Sequence, residues 1–86
     1  MTEEKPSLRA FDSIVREQLS SRFDSDLIGP ILASAEDDNP AAEFIVASAL
    51  EAAGEREQCM KWYRCSAEQG YPPALERLRR ESRSAA

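Results

Sequence analysis

Two cysteines, Cys59 and Cys65, are the only thiols of this 86-residue chain, which contains no histidine. Without imidazole the commonest general base is missing, and so is any His-based zinc site. A thiolate could serve redox or metal chemistry. On one predicted helix, however, side chains six residues apart project about 240° from each other, and their Cα atoms are too distant to bridge. Both read as reduced thiols packing as small hydrophobes, with a thiol-based redox regulator as the sharper alternative. Among the carboxylates, Asp24 and Asp26 followed by Gly29 have the start of a calcium loop, but Ile28 holds the fifth position and Ala35 the twelfth, where ligands are needed. The clusters Glu36-Asp37-Asp38 and Glu55/Glu57 fall at predicted helix ends and read as solvated turns. There is no Gly-rich phosphate loop, Cys-x-x-Cys pair or nucleophile motif. The expectation is no catalytic residue, no cofactor, no metal and no enzyme.

The remaining positions of interest are aromatic and basic, and helices must place them. Ser7 followed by Leu8, Phe11, Val15 and Leu19 gives a cap and then apolar positions three and four apart, which predicts a helix over 7–21. A second helix starts at Asp26 or at Gly29, because Pro30 fits a first turn but would kink a helix already under way. A third spans 40–53, with Asn39-Pro40 before it and Gly54 as its stop. A fourth covers 57–69 with Gly70 after it, and a fifth, PPALERLRRESR, frays into the final SAA. No segment alternates with period two, so the class is all-α. Thirteen of the apolar residues are alanines, and the core must rest on few large side chains, from Leu8 and Phe11 through Leu27, Trp62 and Tyr63 to Leu75 and Leu78.

Laid against itself at an offset of 32, the chain repeats: SAEDDNPAA at 34–42 falls on SAEQGYPPA at 66–74. Ser34 meets Ser66, Pro40 meets Pro72 and Ala42 meets Ala74. A period in the low thirties built of helix, turn and helix predicts a helical-hairpin solenoid. Alanines 35/67 and 42/74 then stand where helices cross closely, and each proline opens the next helix.

The run WYRCSAEQGYPPALERL resembles the signature of the SEL-one-like repeat, a relative of the tetratricopeptide repeat, with Trp62, Tyr63, Ala67, Gly70, Ala74 and Leu78 in its pattern and Ser66 replacing an alanine. Ala42, Ala49, Leu50 and Gly54 resemble the first helix of the same repeat. The resemblance covers about 40–80. The copy at 25–42 departs from it, with Asp38 where Gly70 stands and Pro30 where Trp62 stands; Asp38 can still turn left-handed. The organisation expected is an N-terminal segment 1–24 with a capping helix, a repeat region 25–83 and a disordered tail 84–86. The resemblance implies a short α-α superhelix of about five helices and a bacterial, non-catalytic adaptor that scaffolds other proteins.

Charge narrows the partner. The net charge is −5, divided as −8 over residues 1–58 and +3 over 59–86. A net basic footprint for nucleic acid is missing. No apolar run approaches the roughly 20 residues of a membrane span, and MTEEKPSLRA lacks the features of a signal peptide, so a cytoplasmic protein is expected. The partner is expected to be another protein, with a homodimer as a further possibility. Phe44, Ala47, Ser48 and Glu51 share the face of the third helix turned from its core stripe, while Arg77 and Arg80 stand on the helix that would stack beside it. Together with Trp62 they form the expected contact surface. Trp62 is read first as core, and Phe44 either packs on the second helix or lines the groove. A small acidic chaperone or regulator of a secreted effector or toxin is the alternative, favoured by a stable homodimer with an exposed apolar groove.

Overall fold

The computed structural model describes residues 6–85, with the side chains of 83–85 outside the description. Five α-helices follow a single 3-10 turn, Arg9–Phe11: α1 (Asp12–Leu19), α2 (Ser25–Glu36), α3 (Pro40–Ala52), α4 (Arg56–Glu68) and α5 (Pro72–Ala85). Among the described residues there is no strand.

The first helix is shorter than its periodicity predicts, and local hydrogen bonds explain both ends. Ser7 Oγ accepts from Arg9 N at 3.2 Å and Phe11 N donates to the Leu8 carbonyl at 2.9 Å, which tightens the first turn and tucks Leu8 into the core. At the other end the hydroxyls of Ser20 and Ser21 donate back to the carbonyls of Glu17 and Gln18 at 2.6 and 2.9 Å, competing with the backbone ladder.

The second helix begins at Ser25, one residue before the earlier of the two expected starts, and carries Pro30 inside it. Proline has no N–H to give the Asp26 carbonyl, and both residues lie at the exposed edge. At the far end α5 continues to Ala85, past the expected end at Arg83. Ser84 and Ala85 are therefore helical, while Ala86 and the first five residues lie outside the description.

Three helix ends share one stop. Asn39 N donates to Ser34 O, Glu55 N to Leu50 O and Tyr71 N to Ser66 O, at 3.0, 2.9 and 3.4 Å, and between each pair stands a left-handed residue: Asp38 at φ 63°, Gly54 at 86°, Gly70 at 82°. This is the six-to-one closure of a Schellman motif. In two of the three, proline then occupies the first helical position, Pro40 with Asn39 Oδ1 capping Ala42 N at 3.1 Å, and Pro72. The equivalence of 34–42 and 66–74 is thus one of backbone geometry.

The third helix is central: α1, α2 and α4 all pack on it, and α5 packs on α4. Val15, Leu19, Val46, Leu50 and Trp62 are wholly buried around it. Two residues expected in the core are not there, since Leu27 and Leu75 are 49% and 44% exposed.

Candidate functional site

The face of α3 expected to bind divides among three environments. Ala47 is wholly buried because the neighbouring helices close over the middle of α3, so it offers nothing to a partner. Ser48 Oγ donates to the Ile45 carbonyl at 2.7 Å and accepts from Arg22 Nη1 at 3.1 Å, facing the end of α1. Phe44 and Glu51 turn toward α4 and α5. Phe44 packs toward α4 and the turn after it: its ring lies 5.4 Å from that of Tyr63 and 5.6 Å from that of Tyr71, tilted to both, an arrangement favoured by the ring quadrupoles.

Glu51 anchors a polar cluster. It accepts from Tyr63 OH at 2.7 Å and from both Nε and Nη2 of Arg77. Arg77 also donates to Glu81 at 3.2 Å, and its guanidinium stands over the Tyr63 ring, 5.3 Å from the centroid, where the π face attracts a cation. Glu81 in turn accepts from Arg56, which ties the start of α4 to α5. Hydrogen bonds from Arg77 and Tyr63 hold the Glu51 carboxyl below its usual range despite its partial burial. The Tyr63 phenol is pushed up, by burial first and then by its bond to Glu51. These groups hold one another and hold α3 to α5, so Arg77 is a structural residue before it is a contact.

Beside this cluster Phe44, Pro73, Glu76, Arg77 and Arg80 line an open cleft of about 250 Å³. Arg80 is exposed. Its neighbour Arg79 pairs loosely with Glu76 at 3.4 Å. Of the seven expected contact residues, the fold brings Phe44, Arg77 and Arg80 to this cleft, with Glu51 joined to it through its pair with Arg77. Trp62 lies fully in the core, deeper than Tyr63, so the packing reading is the one the structure shows.

Comparison with protein-family models, with curated proteins and with solved structures returns no match. Cys59 is buried and its thiol is pushed up by that burial, Cys65 is half-buried, and the two are unbridged. A raised thiol holds less of the reactive thiolate at neutral pH. No helix among the described residues is long and apolar enough to cross a membrane.

A second concavity escaped sequence reasoning. Phe23, Leu27, Pro30 and Ile31 meet Ala42 and Ile45 in an apolar groove of about 330 Å³ between α2 and α3. Its signal was Leu27, an apolar residue at a helical position that the sequence assigns to the core.

Proposed function

We propose that this chain is a protein–protein interaction module of the SEL-one-like repeat type, an adaptor whose stacked helical hairpins present the Phe44/Arg80 cleft to a segment of a partner protein. The observation that carries the reading is the cleft itself. A half-buried aromatic floor lies beside an exposed guanidinium, the pairing of residue types from which interface hot spots are built. The six acidic residues and absent basic residues of 25–52 leave α5, with four arginines to two glutamates, as the cationic side of the molecule. An acidic partner segment carrying one apolar anchor fits that balance. Arg80 is the residue to test, because Arg77 is bound into the Glu51 and Glu81 pairs. The partner is captured from native lysate with the full chain, identified, and titrated against wild type and Arg80→Glu. Affinity is expected to fall at least tenfold with an unchanged melting temperature. Equal affinities would place the binding face elsewhere.

A further inference from the structure

Leu27, 49% exposed, stands in the open groove between α2 and α3 with Phe23, Ile31, Ala42 and Ile45. An apolar hollow beside an exposed leucine is the kind of surface that association covers. The internal repeat shows what kind of element fits it. Ser66 Oγ donates to the Pro40 carbonyl at 2.8 Å and Tyr63 OH to Glu51 at 2.7 Å, so that side of α4 is occupied by α3. Ile31 and Ser34, on the groove, stand 32 residues before Tyr63 and Ser66. The segment in the register of α3 is 8–20, but its helix α1 packs on α3, and the matching side of α2 is left open.

Backbone hydrogen bonding also calls for a helix. Ser34 and Asn39 are the polar residues of the lining, and Asn39 Oδ1 already accepts from Ala42 N at 3.1 Å. An extended segment laid there would lose water from its N–H and C=O groups and find no ladder to replace it, whereas a helix satisfies its own. From Phe23 to Ser34 the wall runs about three helical turns, the length over which a helix in a groove presents apolar anchors.

Charge decides what flanks those anchors. Residues 25–52 contain no lysine or arginine. Asp26, Pro30 and Asp37 share one side of α2 by helical spacing, and Pro30 lines the groove, so a carboxylate stands at each end of that rim. Both carboxylates are exposed, and neither is ion-paired among the described residues. Asp37 moreover closes the C-terminal end of α2, where the helix dipole favours a cation. Arg22, beside Phe23, is held by Ser48 Oγ at 3.1 Å. We propose that the groove seats a cationic amphipathic helix of a partner protein, with its apolar stripe on Leu27 and Ile31 and basic residues meeting Asp26 and Asp37 about three turns apart. Opposed potentials steer and orient such an encounter. The groove shares no lining residue with the Phe44/Arg80 cleft and has the opposite charge, so it stands or falls apart from that site.

The probe is a fluorescent synthetic helix of about fifteen residues, with leucines at i, i+4 and i+7 flanked by lysines, together with a twin that has glutamate at each lysine. In anisotropy titrations the full chain is expected to bind the lysine helix at least tenfold tighter than its twin, with the difference narrowed by added salt. Leu27→Lys is expected to weaken that binding at least tenfold, and Asp26→Lys/Asp37→Lys to reverse the preference in favour of the glutamate twin. Arg80→Glu, in the cleft, is expected to change nothing. Circular dichroism verifies that each variant folds, and Asp37→Lys alone, which suits the end of α2, carries the charge test if the double variant is not helical. Failure to bind either helix, or equal affinity for the two, overturns the proposal, as does binding that survives Leu27→Lys or is lost in Arg80→Glu. So does self-association of the wild-type chain that Leu27→Lys abolishes, since a second copy is then the occupant.

Discussion

The occupied face over α4 and the open groove over α2 share a register and differ in what fills them. Over α4, the aromatic pair Trp62 and Tyr63 supplies bulk at the centre, and Ser66, Gln69 and Arg77 supply hydrogen bonds to α3. Over α2, Pro30 and Ile31 stand at the central positions and apolar side chains line the walls. The difference teaches that the backbone frame of a hairpin, set by the left-handed stop and the proline start, survives a change of side chains that the packing does not. Asp38 and Gly70 do the same conformational work at φ 63° and 82°; Pro30 and Trp62 do not do the same packing work.

The largest expected effect breaks the comparison at its centre. Trp62→Ala should cost about 3–5 kcal/mol, the range for deleting a large buried aromatic. Pro30→Ala, at the matching position, should raise stability by about 1–2 kcal/mol, since alanine restores a donor for the Asp26 carbonyl and suits a helix interior better, offset by a freer unfolded chain. Urea midpoints of the two variants check both signs, and a destabilised Pro30→Ala would show that the proline is needed where it stands.

A smaller contrast lies at the crossing alanines. Ala74 is wholly buried and Ala42 lines the groove. Leucine at 74 should overpack the α4/α5 contact by about 1–3 kcal/mol. Ala42 is also buried, at 6% exposure, but borders the groove on one side, so leucine there should cost less than leucine at 74. Equal thermal shifts for the two would remove the distinction between a filled and an unfilled hairpin.

The smallest effect sharpens the polar side of the occupied face. The Glu51 carboxyl is held below its ordinary value of 4.5, chiefly by Arg77. In the folded state it therefore keeps its charge at a pH where the unfolded chain takes up a proton. Its contribution is complete above about pH 4.5 and is lost as pH falls through the lowered folded value. Glu51→Gln should flatten the acid limb of stability between neutral pH and pH 3, as read by urea midpoints. The effect should be modest, because the carboxylate is partly exposed to solvent. An acid limb identical to that of wild type would show that the Glu51 pairs do not lock α3 to α5.

The candidate site was partly legible before any fold was in view. Phe44, Glu51, Arg77 and Arg80 could be gathered because α3 and α5 stack, and helical spacing places each residue on its side. Ala47 shares the spacing of Phe44 and Glu51, yet it is buried, since periodicity orders residues around one helix but does not count the neighbours that close over it. Sequence spacing put Phe44 near α2 or in a groove; the rings that hold it, Tyr63 and Tyr71, are 19 and 27 residues away, a proximity set by long-range packing.

The amino-acid sequence by itself determined the local features of this protein. The helical class follows from apolar spacing, the stops from Gly54 and Gly70, the restarts from Pro40 and Pro72, and the 32-residue equivalence from identities that recur at each turn. All of these depend on dihedral preferences and hydrogen bonds within a few residues of one another. Tertiary structure alone decided that the face over α4 is filled while the groove over α2 is open, why Arg77 is tied to Glu51 while Arg80 remains exposed, and why Leu27 and Leu75 reach solvent. Burial is a property of the space between elements, and an apolar residue on a well-formed helix enters the core only where another element lies against it.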